Sequence, residues 1–237
     1  MADYYISCMA DYKLEAAKAA LKLIAPYQYI GLGAGSTIAY LVQALAADNQ
    51  LAASLTVTSS SFKTNQLLLS HGLKVQVPAL IDKLDWYFDG CDQFDAELNA
   101  LKSGGGIHTT EKILASVASN FVLLGDDAKR VPTLTNAYPL VIEILPQALQ
   151  IVLRELHDLY PSAKIAQRMS TQKDGALISD NGNMLVDVYF AEMPSPGVLN
   201  TQIKMIPGVV DHSLFYQIAN KAIIAGESGV REVLPVR

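Results

Sequence analysis

The chain has 237 residues, 51% hydrophobic and 17% charged, which supplies one large core or two modest ones and argues against disorder. Its formal net charge is −5, and its lysines and arginines are scattered singly among acids, so there is no basic stripe for a nucleic-acid partner. No apolar run approaches the ~20 residues of a membrane span, and the N-terminus lacks the basic start and apolar stretch of a signal peptide, so a soluble, cytoplasmic protein is expected.

Met1-Ala2-Asp3-Tyr4 recurs as Met9-Ala10-Asp11-Tyr12. The second copy leads into a helical pattern, so residues 1–8 read either as an extension before the working domain or as a chance match. Residues 13–24 are predicted to be a helix, because Leu14, Ala17, Ala20, Leu21 and Ile24 fall at intervals of three and four, with Pro26 beyond. A strand at 29–33, a helix at 37–47, a strand at 55–58 and a helix at 64–71 stopped by Gly72 follow. Next come a strand at 85–88, a helix at 110–119 and a strand at 121–124. This alternation predicts an α/β domain with a largely parallel sheet.

The pattern changes near Pro132. A strand at 140–145, a helix at 147–159 and a strand at 164–168 precede a hairpin signal, Asp180-Asn181-Gly182-Asn183, between arms at 176–179 and 184–190. Residues 195–205 read as a helix with Pro196 in its first turn. Residues 222–225 are expected to return as a strand to the first domain. The predicted organisation is a catalytic domain of residues 1–132 plus 208–237, and a smaller α+β domain of residues 133–207.

Gly31-Leu32-Gly33-Ala34-Gly35-Ser36-Thr37 joins a predicted strand to a predicted helix. Glycines let the backbone approach a ligand closely, and a helix start offers free N–H groups, so the loop can cradle a phosphate. It is neither a dinucleotide fingerprint nor a Walker loop, and Ser36 or Thr37 could equally be a plain helix cap. Phe88-Asp89-Gly90-Cys91-Asp92 ends another strand, where open α/β sheets place ligands. Asp89 and Asp92 repel unless compensated. Lys102 and the run Ser103-Gly104-Gly105-Gly106 follow, then His108-Thr109-Thr110-Glu111-Lys112. Thr109 reads as a helix cap, His108 as a loop histidine and Glu111 as an acid in a first helical turn, a position the dipole alone favours. Lys129 follows a further strand and can reach the same sheet edge. Carboxylates, lysines and glycine loops on one edge suit proton transfer on an anionic, phosphorylated sugar. No histidine or cysteine cluster suggests a metal, and Cys8 and Cys91 are expected as reduced thiols.

The ordered set resembles the type A ribose-5-phosphate isomerase family. That family's Gly-x-Gly-Thr-Gly-Ser-Thr, Asp-Gly-Ala-Asp-Glu, Lys-Gly-Gly-Gly, Thr-x-Glu-Lys and Asp-x-Ser-Lys stand here at 31–37, 89–93, 102–105, 109–112 and 126–129. Val141-Ile142-Glu143, Asp180-Asn181-Gly182-Asn183 and Ile206-Pro207-Gly208-Val209-Val210 match as well, so the resemblance spans nearly the whole chain. It implies a Rossmann-like domain with a small α+β domain, assembled as a homodimer or homotetramer, with no metal or organic cofactor. It implies interconversion of D-ribose 5-phosphate and D-ribulose 5-phosphate through an enediolate, a step of the non-oxidative pentose phosphate pathway. Glu111 matches the base, Lys102 a substrate lysine that neutralises enediolate charge, and Asp89 a sugar-binding acid that assists ring opening. Ala34, Gly35, Ser36 and Thr37 match the phosphate loop. Gly90, Cys91, Asp92, Ser103, Gly104, Gly105 and Lys129 match substrate-binding positions, and Lys13 a lysine near the phosphate.

Several positions depart from the family pattern: Ala34 for Thr, Cys91 for Ala, Gln93 for Glu, Ser103 for Gly, and Ile107, His108 and Thr110 near the base. The Cβ of Ser103 is expected to narrow its loop. Those substitutions motivate a competing reading, a non-catalytic sugar-phosphate sensor on the same scaffold.

Overall fold

The computed structural model describes residues 11–236; Met1-Ala2-Asp3-Tyr4, Met9, Ala10 and Cys8 lie outside the described residues. The first half runs α1 (Tyr12–Leu21), β1 (Tyr29–Leu32), α2 (Ser36–Ala47), α3 (Asn49–Ser54), β2 (Thr56–Ser59), α4 (Phe62–Ser70), β3 (Trp86–Asp89), β4 (Gln93–Phe94), β5 (Ala100–Leu101), α5 (His108–Ser116) and β6 (Phe121–Asp126). The second half runs β7 (Leu140–Ile144), α6 (Leu149–Leu159), β8 (Lys164–Gln167), β9 (Met184–Tyr189), α7 (Pro196–Lys204), β10 (Val209–His212), β11 (Leu214–Phe215), β12 (Lys221–Gly226) and β13 (Gly229–Val233). Among the described residues, no helix is long and apolar enough to cross a membrane.

The main sheet has the order β13-β12-β6-β3-β1-β2. All of its pairs are parallel except β12 with β13. Its inner strands are near-continuous apolar runs, as strands covered on both faces must be. Ile30, Leu32, Val57, Phe88, Val122, Leu124 and Ile223 pack with α1, α2 and α4 into one core. The small residues Ala16, Ala17 and Ala20 are buried in α1, and Asp11 caps that helix by accepting from the N–H groups of Lys13 and Leu14. The chain runs from β1 outward to β2, then crosses to β3 on the other side of β1. That reversal opens a crevice at the carboxyl ends of β1 and β3.

A second, antiparallel sheet has the order β10-β7-β9-β8. Leu140, Ile142, Ile144, Val186 and Val188 from it pack with Val152 and Leu156 of α6 and with Leu199 and Ile203 of α7. Because β10 pairs with β7, the chain leaves this sheet after His212, beyond the break expected at residue 207. A three-stranded sheet, β11-β5-β4, joins the two halves. Its side chains alternate between cores: Leu101 and Leu214 enter the second-sheet core, whereas Ala100 and Phe215 enter the one around Phe121.

Some expectations shift. Helix α1 stops at Leu21, although Ile24 still reaches the core from the following turn. The 180–183 turn forms, with Ser179 N–H donating to Asn183 O, but its first arm makes only isolated bridges. Helix α3 and strands β4, β5, β11 and β13 were not predicted. They are too short, or in β13 too polar, to show a period.

Phe121 is fully buried, with its ring 5.3 Å from that of Tyr87 and 5.9 Å from that of Phe215. Phe121→Ala is expected to cost about 3–5 kcal/mol by loss of apolar contact and cavity formation. Urea unfolding should show this as a lower midpoint at unchanged slope; a loss under about 1 kcal/mol would contradict the packing described.

Candidate active site

The crevice holds a cleft of about 230 Å³ lined by Ala34, Gly35, Gly90, Cys91, Asp92, Lys102, Gly104, Gly105, Glu111 and Lys129. Five chain segments meet there. The loop after β1 brings Ala34 and Gly35, the end of β3 brings Asp89 to Asp92, the segment after β5 brings Lys102 to Gly105, the first turn of α5 brings Glu111, and the turn after β6 brings Lys129.

Lys102 sits at the centre. Its ammonium lies 2.9 Å from Asp89 Oδ2 and 3.3 Å from Glu111 Oε1, and all three side chains are buried. It also donates to the Gly90 carbonyl, and lies 5.6 Å from the centre of the Phe215 ring. Asp89 is held on every side. Its Oδ1 accepts from the Ala34 and Gly90 N–H groups at 3.1 and 2.8 Å, and its Oδ2 accepts from the Tyr87 hydroxyl at 2.8 Å. Gly33 makes room for it, since a Cβ there would stand 1.9 Å from the Asp89 carboxyl.

Burial, reinforced by the Asp89 charge, pushes the Glu111 carboxyl up from 4.5 to about 8. The protein itself supplies this burial, since Glu111 is only 4% exposed. Burial opposes the charge of Lys102, but the two carboxylates outweigh it and hold the ammonium above its usual range. Burial and Asp89 likewise keep the Tyr87 hydroxyl protonated, as a donor. The Cys91 thiol is pushed up to about 12 by burial, so it lines the cleft as a neutral group.

The site residues expected from sequence separate into two sets. Ala34, Gly35, Gly90, Cys91, Asp92, Lys102, Gly104, Gly105, Glu111 and Lys129 face the cleft. Asp89 lies behind Lys102. Thr37 is buried, and Ser36 and Lys13 line a neighbouring cavity of about 380 Å³ with Tyr40 and Asp126. Neither Ser36 nor Thr37 caps α2, whose N-cap is Gly35 with no side-chain bond, so the helix start is left uncapped beside the cleft. The Ala34 N–H is committed to Asp89. Ser103 does not narrow the loop. Its side chain turns away from the cleft, its hydroxyl donating to Pro139 O and its N–H to Asp92 Oδ2, both at 2.5 Å.

Two corrections concern α5. It begins at His108 with Ile107 as N-cap, so Thr109 is not the cap and His108 is not a loop residue. His108 is buried beside Asp211 O, and burial pushes its imidazole down to about 4. Thr109 instead donates to Glu143 Oε2. Glu143, known from sequence only as part of a motif, is a buried hub that also accepts from Ser179, Asn181 and Asn183 at 2.6, 3.1 and 2.9 Å. Burial works against its charge, but the donors prevail and hold the carboxyl below its usual range. The hairpin turn is thereby tied to the turn of helix that carries Glu111. Tyr87 and Arg168 were also missed. Arg168 acts through contacts 64 and 65 positions away in sequence that no local pattern announces, whereas Tyr87 stands two residues before Asp89 on one face of β3, where strand alternation could have found it. Among the described residues, no cluster of three or more histidine, cysteine or acidic side chains is placed to hold a metal.

The family model for ribose 5-phosphate isomerase A (phosphoriboisomerase A) matches residues 56–229. Among curated relatives, the ribose-5-phosphate isomerase A of Pyrococcus abyssi is 35% identical over 93% of this chain and 96% of its own length. Among solved structures, ribose 5-phosphate isomerase A from Methanocaldococcus jannaschii superposes with a TM-score of 0.87 at 32% identity, covering 94% of this chain and 98% of that one. A D-ribose-5-phosphate isomerase in complex with phospho-erythronic acid does so with a TM-score of 0.88 at 33% identity and the same coverage, 94% and 98%.

Glu143→Ala is expected to cost about 1–3 kcal/mol, because it strands the buried Thr109 hydroxyl and the half-buried Ser179 and Asn183 donors, and Glu143→Gln about 0.5–1.5 kcal/mol. A carboxyl depressed in the folded state contributes stability that is present above its unfolded value and lost as pH falls through the folded one. Acid unfolding of Glu143→Gln should therefore depend less on pH below the ordinary glutamate value of 4.5 than that of the parent. Equal slopes would count against the hub.

Proposed function

The chain belongs to the ribose-5-phosphate isomerase A family, and from that membership we propose that it interconverts D-ribose 5-phosphate and D-ribulose 5-phosphate with Glu111 as the base. The observation that carries the assignment of the base is the position of Glu111, in the cleft and 3.3 Å from the Lys102 ammonium, with its carboxyl raised to about 8. A base works best when its pKa lies near the operating pH.

In the forward direction the carboxylate takes the proton from C2 of the open-chain aldose. Electrons move through the new C1–C2 double bond onto the C1 oxygen, giving a cis-enediolate. Return of the proton to C1, with the O2 proton passing to O1, yields the ketose. The negative charge thus leaves Glu111 and appears on a substrate oxygen, while Lys102 remains beside both. Fixed charges that need no reorganisation are an effective way to lower such a barrier. Asp89, bonded to Lys102, Tyr87 and two backbone N–H groups, holds the ammonium in place; ring opening by Asp89 needs access to the sugar from behind Lys102. The uncapped start of α2 at Gly35 to Thr37 would take the phosphate, with Lys129 and Lys13 on either side of that loop. The small domain, 133–207 as read from sequence, would carry homodimer or homotetramer contacts, and a cytoplasmic place fits a metabolic enzyme of this kind.

Purified protein should form ribulose 5-phosphate from ribose 5-phosphate equally with and without EDTA. Glu111→Gln should lower kcat by ~10²–10⁴-fold while the protein stays folded. No turnover by folded parent protein would overturn the isomerase reading in favour of a binding-only sensor. An unchanged rate in Glu111→Gln would overturn the choice of base alone.

A further inference from the structure

Arg168 lies just beyond β8 in the antiparallel sheet, outside the cleft lining, yet it grips the active-site loop. One guanidinium nitrogen, Nη1, donates to Gly104 O at 2.9 Å, and the other, Nη2, donates to Ser103 O at 3.0 Å. The guanidinium is itself fixed by Asp187 of β9, with Nε 2.9 and 3.0 Å from the two carboxylate oxygens and Nη2 2.7 Å from Oδ1. A planar fork of this kind sets the direction of two successive carbonyls, which a single ammonium cannot do. The same loop rests on β9, where Gly106 approaches the Leu185 side chain so closely that a Cβ would meet it at 2.6 Å.

A trans peptide is planar, so its N–H points opposite to its C=O. Holding the Ser103 and Gly104 carbonyls toward Arg168 therefore aims the N–H groups of Gly104 and Gly105 away from it. Both glycines line the cleft beside Lys102 and Glu111. Among the described residues, neither N–H donates to a protein acceptor.

The geometry points to Arg168 as a positioning residue: it preorganises the Gly104 and Gly105 N–H groups as a pair of donors for the oxygen that becomes negative in the enediolate. This inference rests on the isomerase reading above and deepens it. Lys102 supplies the charge, and the loop supplies directed dipoles whose arrangement is determined before substrate arrives. Ser103 fits the same scheme, because its hydroxyl and N–H bonds to Pro139 and Asp92 anchor the near end of the loop that Arg168 holds further along.

The test compares parent, Arg168→Ala and Arg168→Lys. Loss of one oxyanion donor typically costs ~10²–10³-fold, and a loosened pair should cost less. Arg168→Ala is expected to lower kcat roughly ten- to hundredfold with KM changed less than about threefold. Its affinity for phospho-erythronic acid, whose carboxylate presents charge where the enediolate does, should fall in step with kcat/KM. Inhibition by inorganic phosphate should hardly change. Added guanidinium chloride, at concentrations that leave the parent unaffected, should restore part of the rate. Arg168→Lys should remain impaired. A folded Arg168→Ala with parental kcat, or with equal losses of phospho-erythronic acid and phosphate affinity, overturns the inference. Should the alanine variant not fold, the lysine variant carries the same readings; failure of both to fold would make Arg168 a purely structural residue and overturn it too. An inactive parent would instead sink the isomerase reading on which it depends.

Discussion

The site depends on one buried ammonium shared by two carboxylates. Lys102 stands between Asp89 and Glu111 with scarcely any exposure to water. A buried charge is costly unless it is paired, and two carboxylates with one ammonium leave one negative charge in excess. A proton on Glu111 removes that excess, which explains why burial and Asp89 raise Glu111 rather than leave it ionised like a surface acid. The same arithmetic describes the proposed reaction. When Glu111 takes a proton from the sugar, the negative charge moves from the base to the substrate oxygen, and the cluster around Lys102 keeps its total.

The fold brings this cluster together by placing each member on a separate rigid element. Asp89 ends a central strand, Glu111 sits in the first turn of α5, and Lys102 follows a short strand that bridges two cores. Phe215, from the strand paired with β5, lies against both Lys102 and Lys112. The antiparallel sheet then acts on the site from outside the cleft. Glu143 holds the start of α5 through Thr109, and Arg168 holds the loop that follows Lys102. Changes in that sheet are therefore felt at the cleft without touching it.

The alternating strands and helices of the first half were legible in the sequence because short apolar runs such as those at Tyr29–Leu32 and Phe121–Asp126 alternate with stretches of helical period such as Tyr12–Leu21, several of them closed by glycine or proline. The charge-bearing groups were legible too, as acids, lysines and glycines at strand ends. The linking strands β4, β5 and β11 were not, since two residues cannot display a period. The cap of α5 was misplaced because Thr109 has the chemistry of a cap, yet its hydroxyl is claimed by Glu143, which lies 34 positions away in sequence. Ser103 looked obstructive because sequence does not show side-chain direction. Arg168 escaped notice for the same reason, since an arginine beyond an edge strand acquires meaning only from what it faces; Tyr87 shares a strand face with Asp89, and that alternation was there to be read. Arg168 and Leu185 supply part of the reason for the glycine run at 104–106, the one by holding the Gly104 carbonyl and the other by leaving no room for a Cβ at Gly106.

A carbon-detected titration of the Glu111 carboxyl in the unliganded protein, assigned by comparison with Glu111→Gln, measures the central interaction directly. The expected midpoint is about 8, far above the ordinary 4.5, because burial and the Asp89 charge both oppose ionisation. Replacing Asp89 with asparagine removes the second cause and should move the midpoint down. A midpoint at or below 4.5 in the parent, or one that does not fall in Asp89→Asn, would contradict the shared-ammonium account of the site.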